Sequence, residues 1–278
     1  MRGNLLLRAF LPLAAYGILT ELALWGLSGI SSAVSQSWSW AAFLEWNTVL
    51  PWANAAAGLA AAALFWKWYD REEEKGGGRK QRRNARREPG RFLLLMILGI
   101  CCCLGGSGLI FLLGNALAGV SAFGTGAAAE AVGSEIQPAS VRVFSLMTAF
   151  LCTGCIIPFG EEFLFRRALY GTLREEKHLG YLGAVLMSSV LFGLYHGRLL
   201  QGIYAGLLGL LLACLYQCTG TLTASVIVHA AANSSAVLLE MVHYGKWLAG
   251  SRPVLLLQTG TALLLAAVIL LYLCKKRN

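Results

Sequence analysis

Residues 92–114 read FLLLMILGICCCLGGSGLIFLLG, 23 positions without one charged side chain. Wound as an α-helix at about 1.5 Å per residue, that run exceeds the ~30 Å of a bilayer's hydrocarbon core. Comparable runs lie on both sides of it. Eight spans can be drawn, at 5–30, 49–68, 92–118, 141–172, 181–197, 199–217, 221–243 and 253–274. Inside lipid the backbone N–H and C=O groups must be satisfied within the chain, so such runs form helices. The pattern predicts an all-α, polytopic transmembrane helix bundle of about eight helices, organised as a single membrane-embedded domain over residues 1–278.

Composition excludes the soluble classes. Of the 278 residues, 57% are hydrophobic and 13% charged, and mean hydropathy is +0.62. A soluble domain carries about 25% charged residues, so this chain lacks the charge to coat a water-facing surface. The net charge of +9 is concentrated: nine of the 23 Lys and Arg fall between Arg71 and Arg91. That run reads as a basic cytoplasmic linker over 69–91 and not as a nucleic-acid site. With an even number of spans, both termini share one side. Assigning that side to the cytoplasm places 19 basic residues inside and only Arg142, Arg198, Lys246 and Arg252 outside, the asymmetry expected of cytoplasmic loops. The reading is an integral, multi-pass protein of a bacterial plasma membrane; an endoplasmic reticulum protein would read the same way. Trp38, Trp40 and Trp46 are expected to anchor the external loop at 31–48.

The eight Cys sit almost wholly in apolar stretches and read as small packing residues, with no disulfide framework. Gly202 and Gly206 form a GxxxG that reads as helix packing. Arg167 is expected to snorkel to an interface. His178 and His243 read as ordinary loop and helix-end residues. Glu21, near mid-span in the first helix, and Glu240 have no partner named by the sequence.

Three short polar stretches do not belong in a membrane. The fourth span holds Pro158-Phe159-Gly160-Glu161-Glu162-Phe163-Leu164-Phe165-Arg166-Arg167. The fifth ends Phe192-Gly193-Leu194-Tyr195-His196-Gly197, and the seventh contains His229-Ala230-Ala231-Ala232-Asn233. An ionisable group at depth costs about 2.5–3.5 kcal/mol to insert and is functional by default. Rise per residue puts Glu161, His196, His229 and Asn233 within one slab about 10 Å deep. His229 and Asn233 share a helix face, as do Phe192 and His196, and Glu162 precedes Arg166 in the favourable i,i+4 order. Glu161 is rotated about 100° from Glu162. This assigns Glu162 to an ion pair with Arg166 and leaves Glu161 for a cavity.

A carboxylate in a dry site can serve as a general base, and an imidazole beside it can share the water it activates. A second His and an Asn on another helix suit the oxyanion of a tetrahedral intermediate. That is the equipment of an amide-hydrolysing site.

Glu161-Glu162-x-x-x-Arg166, Phe192-x-x-x-His196 and His229-x-x-x-Asn233 together resemble the three motifs of the CPBP family. Its members are the CAAX proteases and bacteriocin-processing (Abi) enzymes, relatives of the Ras-converting CAAX endopeptidase. The resemblance covers a core at about 141–240. It implies an intramembrane endopeptidase acting on a membrane-associated peptide or protein, of prenylated CAAX type or a leader peptide. On that carry-over Glu161 and His196 activate water, His229 and Asn233 stabilise the oxyanion, and Glu162, Arg166 and Phe192 support them. No cofactor is favoured; the alternative is Zn²⁺ held by Glu161, His196 and His229, although the sequence lacks HExxH. Two other functions compete: a proton-coupled transporter using the buried Glu and His, and a catalytically silent immunity or scaffold protein.

Overall fold

The computed structural model describes residues 5–35, 46–75, 89–116, 139–175, 179–242, 244 and 250–275. Among these, the bundle is built from eight helices, with no strand. They are α1 (Leu5–Ser35), α2 (Trp46–Lys75), α3 (Pro89–Ala116), the composite α4 over residues 139–175, α5 (Gly180–Tyr195), α6 (Leu199–Thr219), α7 (Leu222–Met241) and α8 (Arg252–Lys275). Seven carry spans of 20 to 33 residues that are long and apolar enough to cross a membrane, and the protein is an integral, multi-pass membrane protein. The eighth expected span is shorter. α5 has 16 residues, about 24 Å of helix against ~30 Å of hydrocarbon. It stops because Gly197 takes a left-handed φ of +69°, which side chains with a Cβ resist. The N–H groups of His196 and Gly197 close the last turn on the carbonyls of Gly193 and Leu194, both at 3.2 Å. His196 therefore stands at a helix end, half-buried.

The helices pair α1 with α2, α5 with α6, and α3 with both α7 and α8. One apolar cluster joins α1, α2, α4 and α5 around Tyr16, Phe163, Phe165 and Phe192. A second joins α3, α6, α7 and α8 around Leu98, Leu212, Leu215 and Val228. α4 runs between the two halves, touching α1 and α2 on one side and α7 on another. Every residue from Gly160 to Tyr170 is buried, so this stretch is enclosed on all sides and each charge on it must find a protein partner.

Contacts at one end fix the relative direction of the helices. Arg8 pairs with Glu175 at 3.2 Å, and Tyr170 Oη donates to Gln217 at 2.7 Å. The start of α1 thus shares a face with the ends of α4 and α6. A disulfide between Cys218 and Cys274 adds the end of α8 to that face.

That disulfide corrects the reading of all eight cysteines as packing residues; Cys101, Cys102, Cys103, Cys152, Cys155 and Cys214 are free. α2 continues to Lys75 and α3 begins at Pro89, so both helices run into the stretch 69–91. Arg167 does not snorkel. It is 3% exposed, with its guanidinium over the Trp66 ring at 4.6 Å. The GxxxG expectation holds: a Cβ on Gly193 would lie 2.6 Å from the Gly202 carbonyl and 3.3 Å from Gly206, which brings α5 against α6. Trp38, Trp40, His178 and His243 lie outside the described residues, as does the side chain of Trp46.

Candidate active site

The geometry of the site begins with Pro158. Proline has no N–H, so the carbonyl four residues back, at Gly154, loses its α-helical donor. The carbonyl five residues back, at Thr153, loses the donor a π-helical turn would supply. Residues Ala149–Ile156 are wound as π-helix, followed by a short α turn Ile157–Glu162 and a second π stretch Phe163–Tyr170. The span drawn at 141–172 thus holds two π-helical stretches. α7 supplies the missing donors: Asn233 Nδ2 donates to the Thr153 carbonyl at 3.0 Å and Ser234 Oγ to the Gly154 carbonyl at 3.3 Å. The two helices are thereby held in register where the motif residues meet. Across α4 from α7, Gly160 abuts α2, where its Cβ would lie 2.8 Å from Gly58 Cα.

That register sets the two acids around one imidazole. His229 Nδ1 lies 2.9 Å from Glu162 Oε1, and Nε2 lies 3.6 Å from Glu161 Oε2. Arg166 Nε sits 3.1 Å from Glu162 Oε2, with both side chains fully buried. A carboxylate paired with guanidinium only accepts hydrogen bonds, so His229 Nδ1 carries the hydrogen and donates it to Glu162. Nε2 is left to face Glu161. The Glu162–Arg166 pair expected from the sequence is present, and Glu162 also orients His229. The 100° between the acids remains, and the imidazole spans it by meeting one with each nitrogen. Arg166 is fixed in turn by Nη1 donating to Ser188 Oγ at 3.3 Å, by Ser188 Oγ donating to the Phe165 carbonyl at 3.2 Å, and by the Phe192 face 4.9 Å beneath its Cζ.

Phe192 touches Arg166, Phe165 and both imidazoles. Its ring meets His196 edge-on at 5.1 Å, His229 at 5.7 Å and Phe165 at 4.9 Å. The Phe192 carbonyl accepts a hydrogen bond from His196 Nδ1 at 2.9 Å. A carbonyl cannot donate, so this bond fixes the tautomer and frees His196 Nε2 as an acceptor. Glu161, Glu162, Arg166, Phe192 and His229 are thus in one contact set, with His196 joined to it through Phe192. Asn233 reaches the α4 backbone and contacts neither acid directly; one amide N–H and the side-chain oxygen remain for other partners.

Among the described residues, no group of three or more His, Cys, Asp or Glu side chains is placed to hold a metal ion. His229 has Nδ1 bound to Glu162 and Nε2 turned to Glu161.

Sequence reasoning missed several contributors. Ser188 carries no motif, and only its place eight residues before His196 hints that it faces α4. Thr153 acts through its carbonyl, which side-chain patterns cannot reveal; the signal was Pro158, five residues on. Tyr16, buried on α1, lies close to Gly58 beside Gly160. Glu21 is exposed on the outer face of α1 and Glu240 is half-buried on α7; neither belongs to the cluster.

Comparison with known proteins agrees with the motifs. Residues 143–235 match the family model described as type II CAAX prenyl endopeptidase Rce1-like. The matched segment, similar to that family, contains Glu161, Glu162, Arg166, Phe192, His196, His229 and Asn233, while α1, α2, α3 and α8 lie outside it. Over 109 residues the chain is 28% identical to the Bacillus subtilis (strain 168) protein named "Putative membrane peptidase YdiL". That alignment covers 39% of this chain and 44% of the relative, so the chain matches less than half of the relative's length. No solved structure matches the chain.

Proposed function

We propose that the protein is an intramembrane endopeptidase that hydrolyses a peptide bond of a membrane-associated substrate, such as a prenylated CAAX-type tail or a leader peptide. The observation that carries this reading is the enclosed Glu161–His229–Glu162–Arg166 chain in a segment similar to the CAAX endopeptidase family. Its catalytic unit is the core at 141–240, within a single domain that also includes the outer helices. The basic linker lies in the cytoplasm with both termini, and the membrane is a bacterial plasma membrane.

In this mechanism Glu161 and the free Nε2 of His196 hold the attacking water. Glu161 takes its proton as the oxygen bonds to the scissile carbonyl carbon. Glu162, anchored by Arg166, keeps Nδ1–H of His229 oriented, so that a proton on Nε2 faces the developing oxyanion. The free amide N–H of Asn233 adds a second donor. Donors fixed in a dry site need no reorganisation as charge develops, which is where such catalysis gains most. Glu161 then returns its proton to the leaving nitrogen, the C–N bond breaks, and a carboxylic acid and an amine leave.

The test is cleavage of prenylated and unmodified membrane-associated peptides by the chain in lipid nanodiscs, with Glu161→Gln beside the wild type. Glu161→Gln should lower turnover by at least about 10²–10⁴-fold while leaving the thermal unfolding curve in place. Peptide cleavage unaffected by that change refutes the assignment. Elemental analysis of active protein decides on metal: one tightly bound zinc per chain, with activity lost on its removal and restored on its return, overturns the mechanism.

A further inference from the structure

Four helices form a closed ring beside the site. α6 turns into α7 at Gly220, whose φ is +66°, and Ser225 Oγ of α7 donates to the Leu212 carbonyl of α6 at 3.3 Å. α7 lies against α3, where a Cβ on Gly99 would stand 2.6 Å from that of Ala231, a residue midway between His229 and Asn233. α3 in turn lies against α8, where a Cβ on Gly105 would stand 2.8 Å from Leu263 Cδ2. Each of these three joints is held by close approach or by a hydrogen bond.

The fourth joint, α6 to α8, is built differently. A cavity of about 310 Å³ lies along it, lined by Tyr204, Leu211 and Cys214 of α6, Leu263 and Ala267 of α8, and Gly106 of α3. Helices separated by a cavity forgo dispersion contacts that packed ones make. The tie here is covalent. Cys218, one turn beyond Cys214, bonds Cys274 at the end of α8, with their Cα atoms 5.0 Å apart. Both cysteines are half-buried, so the bond is open to attack from its own face. That face also carries the start of α1 and the basic run Lys275-Lys276-Arg277, and on the orientation proposed above it is cytoplasmic. Thiols in that compartment are kept reduced, and a disulfide there is as a rule transient and redox-responsive.

We propose that Cys218 and Cys274 form a redox-operated clasp. The disulfide closes the ring and seats α7; its reduction frees the end of α8 and slackens the hold on His229 and Asn233. The partner in the exchange is a dithiol. One of its thiolates attacks a sulfur of the bond to give a mixed disulfide, the second closes its own disulfide, and Cys218 and Cys274 take up the two protons. The oxidised form of that dithiol runs the exchange backwards. The bond joins residues 56 apart in sequence, and cutting it returns that loop's entropy to the unfolded chain. Control of turnover by the clasp rests on the endopeptidase reading; the bond and its effect on stability do not.

The test uses the full chain in nanodiscs, titrated with mixtures of reduced and oxidised dithiothreitol, beside Cys218→Ser, Cys274→Ser and Cys214→Ser. Maleimide labelling with mass analysis reads the thiol state of Cys218 and Cys274, and unfolding temperature and turnover of a cleaved peptide are followed in parallel. Reduction should free the two thiols together and lower the unfolding temperature by about 5–15 °C. Turnover should fall along the same two-electron curve and return on reoxidation. Cys218→Ser and Cys274→Ser should match the reduced wild type and ignore the dithiol, whereas Cys214→Ser should keep the full response. Both thiols labelled before any reductant is added, an unfolding temperature unmoved by their reduction, or a response lost in Cys214→Ser would each overturn the clasp. Turnover that stays constant while stability follows the bond would overturn its control of the site. If no form cleaves peptide, the endopeptidase reading fails, and labelling and unfolding still decide on the bond.

Discussion

Arg166→Met is the most informative single perturbation of the buried charges. The change keeps most of the side-chain volume and removes the guanidinium. Glu162 Oε2 then loses its partner at 3.1 Å and keeps only His229 Nδ1, 2.9 Å from the other oxygen. Breaking a buried pair from one side costs about 3–5 kcal/mol, because the remaining charge stays uncompensated. The lost contact with the Phe192 face, at 4.9 Å, adds up to about 2 kcal/mol. Ser188 loses one partner but retains its bond to the Phe165 carbonyl. At about 2–4 °C per kcal/mol, thermal unfolding should fall by about 10 °C or more. Glu161→Gln breaks only a 3.6 Å contact and should move it by far less. Combining Arg166→Met with Glu162→Gln removes both charges and should recover part of the loss, since a neutral pair carries no orphaned anion. The assay is tryptophan-monitored unfolding in detergent, with folded yield from size-exclusion chromatography. Equal unfolding temperatures for Arg166→Met and Glu161→Gln, or a double variant weaker than Arg166→Met, refute the reasoning.

Asn233→Ala should retain slow turnover, reduced about 100- to 1,000-fold as for loss of one oxyanion donor, whereas Glu161→Ala should fall to background; a matching background rate in single-turnover assays would count against the donor role. The same variant strips the Thr153 carbonyl of its 3.0 Å partner, so its folded yield should drop, and Asn233→Asp, which has no N–H to donate, should not restore it. Gly160→Ala should cost about 1–3 kcal/mol of stability, because its Cβ would lie 2.8 Å from Gly58 Cα, whereas Gly58→Ala, with its closest contact at 3.4 Å, should stay near wild type in the same unfolding assay. Reversed sensitivities would mean that α2 and α4 pack in a different register.

The architecture was legible because long uncharged runs leave a chain few options in lipid, and the seven long spans follow those runs closely. α5, Gly180–Tyr195, falls within two residues of the span drawn at 181–197, its end set where the backbone turns at Gly197. The Glu162–Arg166 pair was legible from its four-residue spacing. The grip of His229 on Glu162 was not, because the two lie 67 residues apart and meet only when α7 docks on α4. Pro158 was visible in the sequence, but its consequence depends on Asn233 and Ser234 arriving from another helix. The disulfide was hidden for the same reason: Cys218 and Cys274 are 56 residues apart, and only the shared end of α6 and α8 makes them neighbours. Arg167 misled because a lone arginine beside apolar residues reads as an interface group until Trp66 is placed over it.

The grouping of Glu161, Glu162, Arg166 and His229 also bears on the voltage across the membrane. Two carboxylates and one guanidinium leave the cluster one positive charge short, so its neutral state holds a single additional proton among Glu161 and the imidazoles. Taking a proton from water, meeting the oxyanion and protonating the leaving amine shift charge by only a few ångström within that cluster. Carrying one elementary charge fully across a bilayer involves about 2.3 kcal/mol for every 100 mV, and here no charge makes that passage. A carrier built on the same Glu and His residues would run faster or slower as the potential changed. On the proposed mechanism hydrolysis at this site is electrically silent, so its rate in sealed vesicles should be the same whether the membrane is energised or fully depolarised.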